Sequence, residues 1–322
     1  MKKILALILI TIASLSMTSC ITDPGSYDVY VTVYPMKFVV EEIFEGTGYT
    51  VGIVPGVTSH ETSVDWSPKE IIAMTEAKYL FYVGANYDQY IEAQINSIFV
   101  SKDVELIKIE DETSYIEFIN GVVHSHDEED IETLDASLLG VDPHFWISPL
   151  KVQQAAALIY DKLADKFDDP EDLMETNYTK LVTELQNLSD AFTEVILNAT
   201  QPAMMSTNIY GYLREDYGFE YFSISPGYHE ETEQFTSQEK EEIVAHALEN
   251  NIKYIIYELY TTSPLSNSVF TELDDLGLEP VKLEYNILQS LSDDEIITGN
   301  DYISCMYENL ELLKLALGYQ SE

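Results

Sequence analysis

Short apolar runs alternate with helical patterns along the first half of the chain. The apolar runs cover 29–34, 49–54, 79–83 and 104–109, each about the length of a β-strand. The segments between them repeat apolar residues at helical spacing. Alternation of this kind predicts a parallel sheet whose strands are joined by crossover helices. An acidic, histidine-bearing segment at 120–140 then interrupts the pattern.

The second half of the chain repeats the same alternation. Its apolar runs cover 203–206, 221–225, 254–257 and 281–283, again separated by segments with helical spacing. An amphipathic pattern at 302–317 closes the chain. The sequence therefore predicts a second parallel sheet flanked by helices.

A long helix is predicted between the two halves. The stretch 171–201 contains neither Gly nor Pro, and its apolar positions are spaced by three and four: Leu181, Leu185, Leu188, Phe192 and Val195. Nearly thirty helical residues would span ~40 Å at 1.5 Å per residue. Such a helix can connect two domains, although a surface helix packed on one domain would show the same pattern. The predicted fold is α/β, with two lobes joined by one long backbone helix.

The N-terminus has the features of an export signal. Lys2 and Lys3 precede an apolar run at 4–15, and small or polar residues lead to Cys20. The apolar run is shorter than the ~20 residues that a membrane span needs. Cys20 after Thr18 and Ser19 resembles a bacterial lipobox, which implies cleavage before Cys20 and lipidation of its thiol. The alternative is an ordinary signal peptide with an incidental cysteine.

These signals divide the chain into five predicted segments. They are a signal peptide at 1–19, a lipidated tether at 20–27, an N-terminal α/β lobe at 28–168, a linking helix at 169–200 and a C-terminal α/β lobe at 201–322. The division predicts an extracytoplasmic protein that is lipid-anchored to the bacterial cell membrane.

The strongly negative net charge limits which molecules the protein can bind. The chain carries 57 acidic and 16 basic side chains, a formal net charge of −41. A surface of this sign repels nucleic acid and anionic lipid headgroups and attracts cations without specificity. We therefore expect no nucleic-acid partner. The acidity is also typical of adaptation for solubility or for a saline habitat, so it does not by itself indicate metal binding.

Several nitrogen and oxygen donors lie where predicted strands end. His60 follows the second strand of the first half, and His144 precedes a predicted helix. Asn208, Glu258 and Glu284 directly follow strands of the second half. Ligands of open α/β sheets bind at the carboxyl ends of the strands, so donors from both lobes are expected around one cleft. Imidazole suits zinc, copper, iron and nickel, and carboxylate extends the set towards manganese.

The chain resembles the substrate-binding lipoproteins of zinc and manganese ABC importers, the cluster A-I receptors with a helical backbone between two lobes. The resemblance rests on segments 56–61 (GVTSHE), 66–68 (WSP), 142–149 (DPHFWISP), 206–212 (STNIYGY), 282–284 (KLE) and 302–310 (YISCMYENL). It extends over nearly all of the chain after the leader.

The resemblance implies a metal site. His60 and His144 would be ligands from the first lobe, and Glu284 would replace the family's commoner Asp. The third family ligand is usually His or Glu, whereas this chain has Asn208. Asn208 then coordinates weakly through its oxygen, or leaves its position to water, or His229 enters from a neighbouring loop. Glu258 would orient a ligand from outside the coordination sphere or cap a helix.

The interrupting segment contains His124 and His126, one residue apart among four acidic residues. Zinc-type members of the resembled family often carry a longer His-rich acidic loop at this place. The loop would collect metal ions, or it is a solvated acidic loop that binds nothing at working concentrations. It is the main reason to expect zinc rather than manganese as the metal ion.

The predicted function is that of a receptor without enzymatic activity. A monomeric protein would capture a divalent transition metal and deliver it to an ABC permease driven by its ATPase. One alternative is a degenerate homologue that acts as an adhesin or binding protein without tight metal. A zinc hydrolase is a further alternative, but the chain has no His-Glu-x-x-His motif.

Overall fold

Two parallel four-stranded sheets form the framework of the protein. The structure is a computed structural model, and it describes residues 25–56, 63–121, 140–169, 171–228, 236–291 and 299–320. The first sheet has the order β2-β1-β3-β4 and is the sheet of the first lobe. Its strands are β1 (Val29–Val31), β2 (Val51–Ile53), β3 (Tyr79–Tyr82) and β4 (Glu105–Lys108).

The second sheet repeats this topology. It has the order β6-β5-β7-β8, all parallel, and belongs to the second lobe. Its strands are β5 (Ala203–Met205), β6 (Tyr221–Ser223), β7 (Tyr254–Glu258) and β8 (Val281–Tyr285). All eight predicted strands are confirmed. In each sheet the order reverses beside the first strand, between β1 and β3 or between β5 and β7, where α/β proteins commonly bind ligands.

Helices connect the strands as the crossover pattern requires. They are α1 (Tyr34–Phe44), α2 (Pro68–Glu76), α3 (Gln89–Glu92), α4 (Pro149–Lys166), α5 (Leu173–Leu197), α6 (Gly211–Tyr217), α7 (Ser237–Glu249), α8 (Pro264–Asp275) and α9 (Tyr302–Ala316). Ser67 and Thr236 begin α2 and α7 with capping boxes, each accepting from the backbone of a Glu three residues later. Local sequence thus fixes where these helices begin.

One predicted helix is wrong in its form. The segment between β3 and β4, whose spacing predicts a helix, contains instead the four-residue α3 and then a π-helix at Ile95–Phe99. Tyr90 and Phe99 are nine residues apart, which would place them on opposite faces of a regular α-helix. In the structure both rings contact Trp66, at 6.1 and 6.2 Å between centroids. Packing therefore overrides the regular helical period.

The long helix α5 packs against both lobes. Its 25 residues span about 37 Å at 1.5 Å per residue. It contacts α1 and α4 on the first lobe and α6 and α9 on the second. Its apolar face joins one hydrophobic cluster that runs from Val29 to Leu317 through both sheets. The two lobes share a core, so the domain boundaries given above stay predictions.

Polar contacts also tie the lobes together. The Trp146 indole N–H, next to α4, donates to the Ile287 carbonyl at 2.9 Å, and the Tyr302 hydroxyl on α9 donates to the Trp146 carbonyl at 2.8 Å. Asp216 on α6 accepts from the Ser148 hydroxyl at 2.5 Å and lies 3.4 Å from the Lys151 ammonium. These contacts join the start of α4 to the second lobe.

Among the described helices, none combines the length and the apolar character needed to cross a membrane. The predicted leader, the tether up to residue 24 and the lipidation site Cys20 lie outside the described residues. Their predicted roles therefore stay predictions.

Asp88, which follows β3, gives the first lobe a pH-dependent stability. Its side chain is buried and accepts from the Gly84 backbone N–H at 3.0 Å and the Tyr90 hydroxyl at 3.3 Å. Burial outweighs these bonds and raises the pKa of Asp88 from 3.8 to about 6. Between these pH values the native state binds a proton that the unfolded chain has released. The free energy of unfolding therefore falls as the pH rises through this window.

We expect Asp88→Asn to stabilise the metal-free protein at neutral pH, because the amide resembles the protonated carboxyl. About two pKa units correspond to a gain of up to about 3 kcal/mol at pH ~7.5, which fades towards pH ~4. Denaturant unfolding at several pH values measures it. The exposed Asp103→Asn controls for net charge and should change stability by less than ~0.5 kcal/mol. An equal gain in stability from Asp88→Asn at pH ~7.5 and at pH ~4 would contradict the prediction.

Candidate metal centre

The centre of the site is His144, which the chain presents between two turns. His144 precedes a 3₁₀ turn at Phe145–Ile147, and Ser148 then caps α4 by accepting from the Lys151 backbone N–H at 3.4 Å. Pro149 at the first helical position fixes where α4 begins. The His144 side chain is buried, 2% exposed, where the two lobes meet.

Asp142 fixes both the backbone and the ring of His144. One carboxylate oxygen, Asp142 Oδ1, accepts from the His144 backbone N–H at 2.9 Å and contacts His144 Nδ1 at 2.8 Å. A carboxylate can only accept, so Nδ1 is the donor in this bond, and in the neutral imidazole the lone pair is then on Nε2. A carboxylate behind a histidine sets its tautomer and makes it a stronger metal ligand. In that tautomer Nε2 is the ring atom suited to coordinate a metal.

The second lobe holds Asp142 in place. The Tyr212 hydroxyl donates to the Asp142 carbonyl at 2.7 Å and accepts from the Ile119 backbone N–H at 3.3 Å. Gly211 allows this approach, because a Cβ there would lie 2.9 Å from Asp142 Oδ2. The orientation of His144 in the first lobe thus depends on α6 of the second.

Asn208, predicted as a weak ligand or a position left to water, is buried and hydrogen-bonded. Its Nδ2 donates to the Pro226 carbonyl at 3.0 Å, and its Oδ1 accepts from the Tyr221 hydroxyl at 2.7 Å. Its backbone N–H donates to the Gly227 carbonyl at 2.9 Å. The structure places Asn208 in a network that orders the segment leading to Tyr228.

Tyr228 connects this network to His144. The Tyr228 ring meets the His144 ring in an edge contact, with centroids 4.9 Å apart and planes at 68°. Trp146 contacts the His144 ring at 5.5 Å. The carboxylate of Asp142 on the Nδ1 side and the rings of Trp146 and Tyr228 are thus among the neighbours of His144.

Glu258 lies where the order of the second sheet reverses. It ends β7, is 4% exposed, and accepts a short hydrogen bond from Thr207, which follows β5. Thr207 precedes Asn208, so the carboxylate supports the backbone that carries this network. This placement is compatible with the predicted role outside the coordination sphere, which stays a prediction.

Glu284 lies outside this buried cluster, and its predicted role as a ligand stays a prediction. Its side chain is 52% exposed on the edge strand β8, and its carboxylate lies 3.0 Å from the Lys282 ammonium. Side chains alternate along a strand, and Leu283 and Tyr285 are the ones that face the core. Glu284 therefore points away from the core that holds His144.

Four other predicted residues lie outside the described residues: His60, His124, His126 and His229. Within the described ranges, the structure brings together no group of three or more His, Cys, Asp or Glu side chains suited to a metal. The roles of these four histidines stay predictions.

Sequence reasoning missed the residues that position His144. Asp142 stands in the motif that carried the resemblance, but no role was assigned to it. A carboxylate two residues before a histidine is a usable signal, since both share one turn. Tyr212, Tyr221 and Tyr228 gave no comparable signal, because they reach the site through tertiary contacts.

Comparison with known proteins supports the resemblance. The family model described as "Zinc-uptake complex component A periplasmic" matches residues 29–316. The zinc-binding lipoprotein AdcA of Streptococcus pneumoniae is 26% identical over 321 residues, covering 98% of this chain and 61% of AdcA. The high-affinity zinc uptake system protein ZnuA of Bacillus subtilis is 25% identical over 301 residues, covering 90% of this chain and 87% of that protein. The chain thus spans about three-fifths of AdcA.

Solved structures share the fold. The Zn(II)-bound ZnuA-like domain of Streptococcus pneumoniae AdcA superposes with a TM-score of 0.69 at 22% identity. The match covers 91% of this chain and 99% of that domain. The two-lobe α/β fold predicted from the sequence is confirmed.

Proposed function

Since this chain belongs to the zinc-uptake complex component A family, we propose that it is an extracytoplasmic receptor that binds zinc as cargo for an ABC permease. The observation that carries the proposal is the buried Asp142–His144 pair. A neutral imidazole backed by a carboxylate is a characteristic zinc ligand.

His144 Nε2 would supply one ligand, and His60 stays the predicted second from the first lobe. The remaining positions would be filled by water or by His229. Imidazole donors favour zinc over manganese, which prefers oxygen ligands. Manganese is therefore the second candidate for the cargo. The loop with His124 and His126 would collect metal ions near the cleft.

The partners follow from the family. The cargo would pass to a permease driven by its ATPase, with the receptor tethered through lipidated Cys20 and acting as a monomer without enzymatic activity. The shared core and the contacts of Trp146 with Ile287 and Tyr302 support small shifts during release rather than a wide hinge motion.

The degenerate homologue that acts as an adhesin is a second candidate. It is favoured by one observation, the hydrogen-bonded amide of Asn208, at the position where the resemblance implies a His or Glu ligand. Such a protein would bind no stoichiometric metal. The zinc hydrolase would instead bind zinc and turn over a substrate.

The test is competitive metal binding by the purified chain. The protein is stripped with a chelator, offered zinc and manganese together, and analysed for bound elements and affinity. We expect one tightly bound zinc per chain and little manganese. Absence of stoichiometric metal would refute the receptor and favour the degenerate homologue. One bound manganese would keep the receptor and change its cargo.

A further inference from the structure

The orientation of the Asn208 amide is fixed by its partners. The Pro226 carbonyl can only accept, so it must face the Asn208 NH₂ group, 3.0 Å away. Asn208 Oδ1 then faces the Tyr221 hydroxyl at 2.7 Å, a donor that reduces the electron density available to a metal. The amide thus joins strand β6 to the chain segment that follows it.

Asn208 binds two successive backbone carbonyls of this segment. The side chain binds the carbonyl of Pro226, and the backbone N–H binds the carbonyl of Gly227. Tyr228 comes next, and its ring packs edge-on against the His144 ring. The Tyr228 ring, on a segment held by these two hydrogen bonds, forms a wall beside the His144 ring and restricts its rotation. The chain of contacts runs from Tyr221 through Asn208 to Tyr228 and His144.

We propose that Asn208 is a positioning residue and not a metal ligand, and that it acts by holding Tyr228 against His144. The inference rests on the proposed function, because it concerns the same zinc site. Asn208 thus contributes hydrogen bonds at the position where the resemblance implies a ligand, and another donor fills that coordination position on the metal. The affinity of this receptor for zinc is then set partly by a tyrosine wall.

Tyr221→Phe should weaken zinc binding if Asn208 positions Tyr228, but not if Asn208 binds the metal. The variant keeps the ring and removes only the hydroxyl that binds Asn208 Oδ1. If Asn208 positions Tyr228, the wall loosens and the zinc dissociation constant rises about tenfold, as for other contacts behind a ligand. If Oδ1 is a ligand, losing a competing donor leaves the affinity unchanged or tighter. Competition titration with a chelator measures the change, and an unchanged or tighter affinity overturns the inference.

A double-mutant cycle tests the route through Tyr228. Tyr228→Ala removes the wall and should weaken zinc binding about 10- to 100-fold. In that background Tyr221→Phe should have no further effect, because both changes act through one contact. Additive effects would mean that Asn208 acts by another route and would refute the proposal. The buried Tyr285→Phe, on strand β8 of the same sheet, is the matched control and should keep the wild-type affinity.

Cobalt(II) bound in place of zinc reports the ligand set directly. Asn208→Ala should weaken binding yet retain the visible absorption spectrum, because the coordinating atoms are unchanged. A changed spectrum would identify Asn208 as a ligand. The failure of the proposed function looks different, since the wild-type chain would then take up no stoichiometric zinc. A wild-type chain with one zinc and a Tyr221→Phe variant of equal affinity would refute only the positioning role.

Discussion

His144→Ala should abolish tight zinc binding. Structural zinc sites contribute about 10–16 kcal/mol, so one of four ligands accounts for roughly 3 kcal/mol, a factor of at least about 100 in affinity. The loss should be large here because Asp142 already fixes the His144 ring for coordination. The zinc dissociation constant, measured by competition with a chelator, shows the effect.

Two further variants distinguish the loss of a metal ligand from a nonspecific effect on the folded structure. His246→Ala, on the exposed side of α7, removes a histidine outside the site and should keep the wild-type affinity. Asp142→Asn keeps His144 but weakens the support of its ring, so a loss of about tenfold is expected. Equal zinc affinity in His144→Ala and His246→Ala would show that His144 is not a ligand.

Asp216→Ala should be among the most destabilising single changes at the contact between the lobes. It leaves the Lys151 ammonium, whose side chain is only 9% exposed, without its partner at 3.4 Å. Removing one member of a buried ion pair costs about 3–5 kcal/mol, because the remaining charge stays buried without compensation. Ser148 also loses its acceptor, and Ser148 caps the helix that follows His144. Denaturant unfolding of the metal-free protein measures the loss.

The matching controls test the burial argument. Glu311→Ala breaks the ion pair between Glu311, whose side chain is 67% exposed, and Lys314. The free energy of unfolding should fall by no more than about 1 kcal/mol. The double variant Asp216→Ala with Lys151→Met removes both charges and should regain much of the stability. If Asp216→Ala costs no more than Glu311→Ala, the buried pair does not hold the lobes together.

Both experiments concern the same part of the molecule. His144, Trp146, Ser148 and Lys151 lie within eight residues of the chain, and each has a partner in the second lobe or beside it. Loosening the contact between the lobes is therefore expected to weaken the metal site as well. On the proposed function, cargo affinity would therefore depend on the packing of the lobes.

The sequence alone was enough to predict the two sheets and the long helix between them. Short apolar runs and helical spacing predicted eight strands and the long helix, because both depend on local periodicity and on the absence of Gly and Pro. The segment 142–149 also identified His144 and the start of α4, because His144, Ser148 and Pro149 are close along the chain.

The contacts that build the site, in contrast, form only when distant parts of the chain fold together. Tyr212 reaches Asp142 across 70 positions, and Tyr221 reaches Asn208 across 13, so no local pattern predicts either contact. Glu284 shows a related limit: the resemblance indicated a carboxylate ligand, but the alternation of side chains along β8 turns it towards solvent. Local periodicity predicts where strands and helices form, whereas the direction and partners of each polar side chain depend on residues brought together by folding.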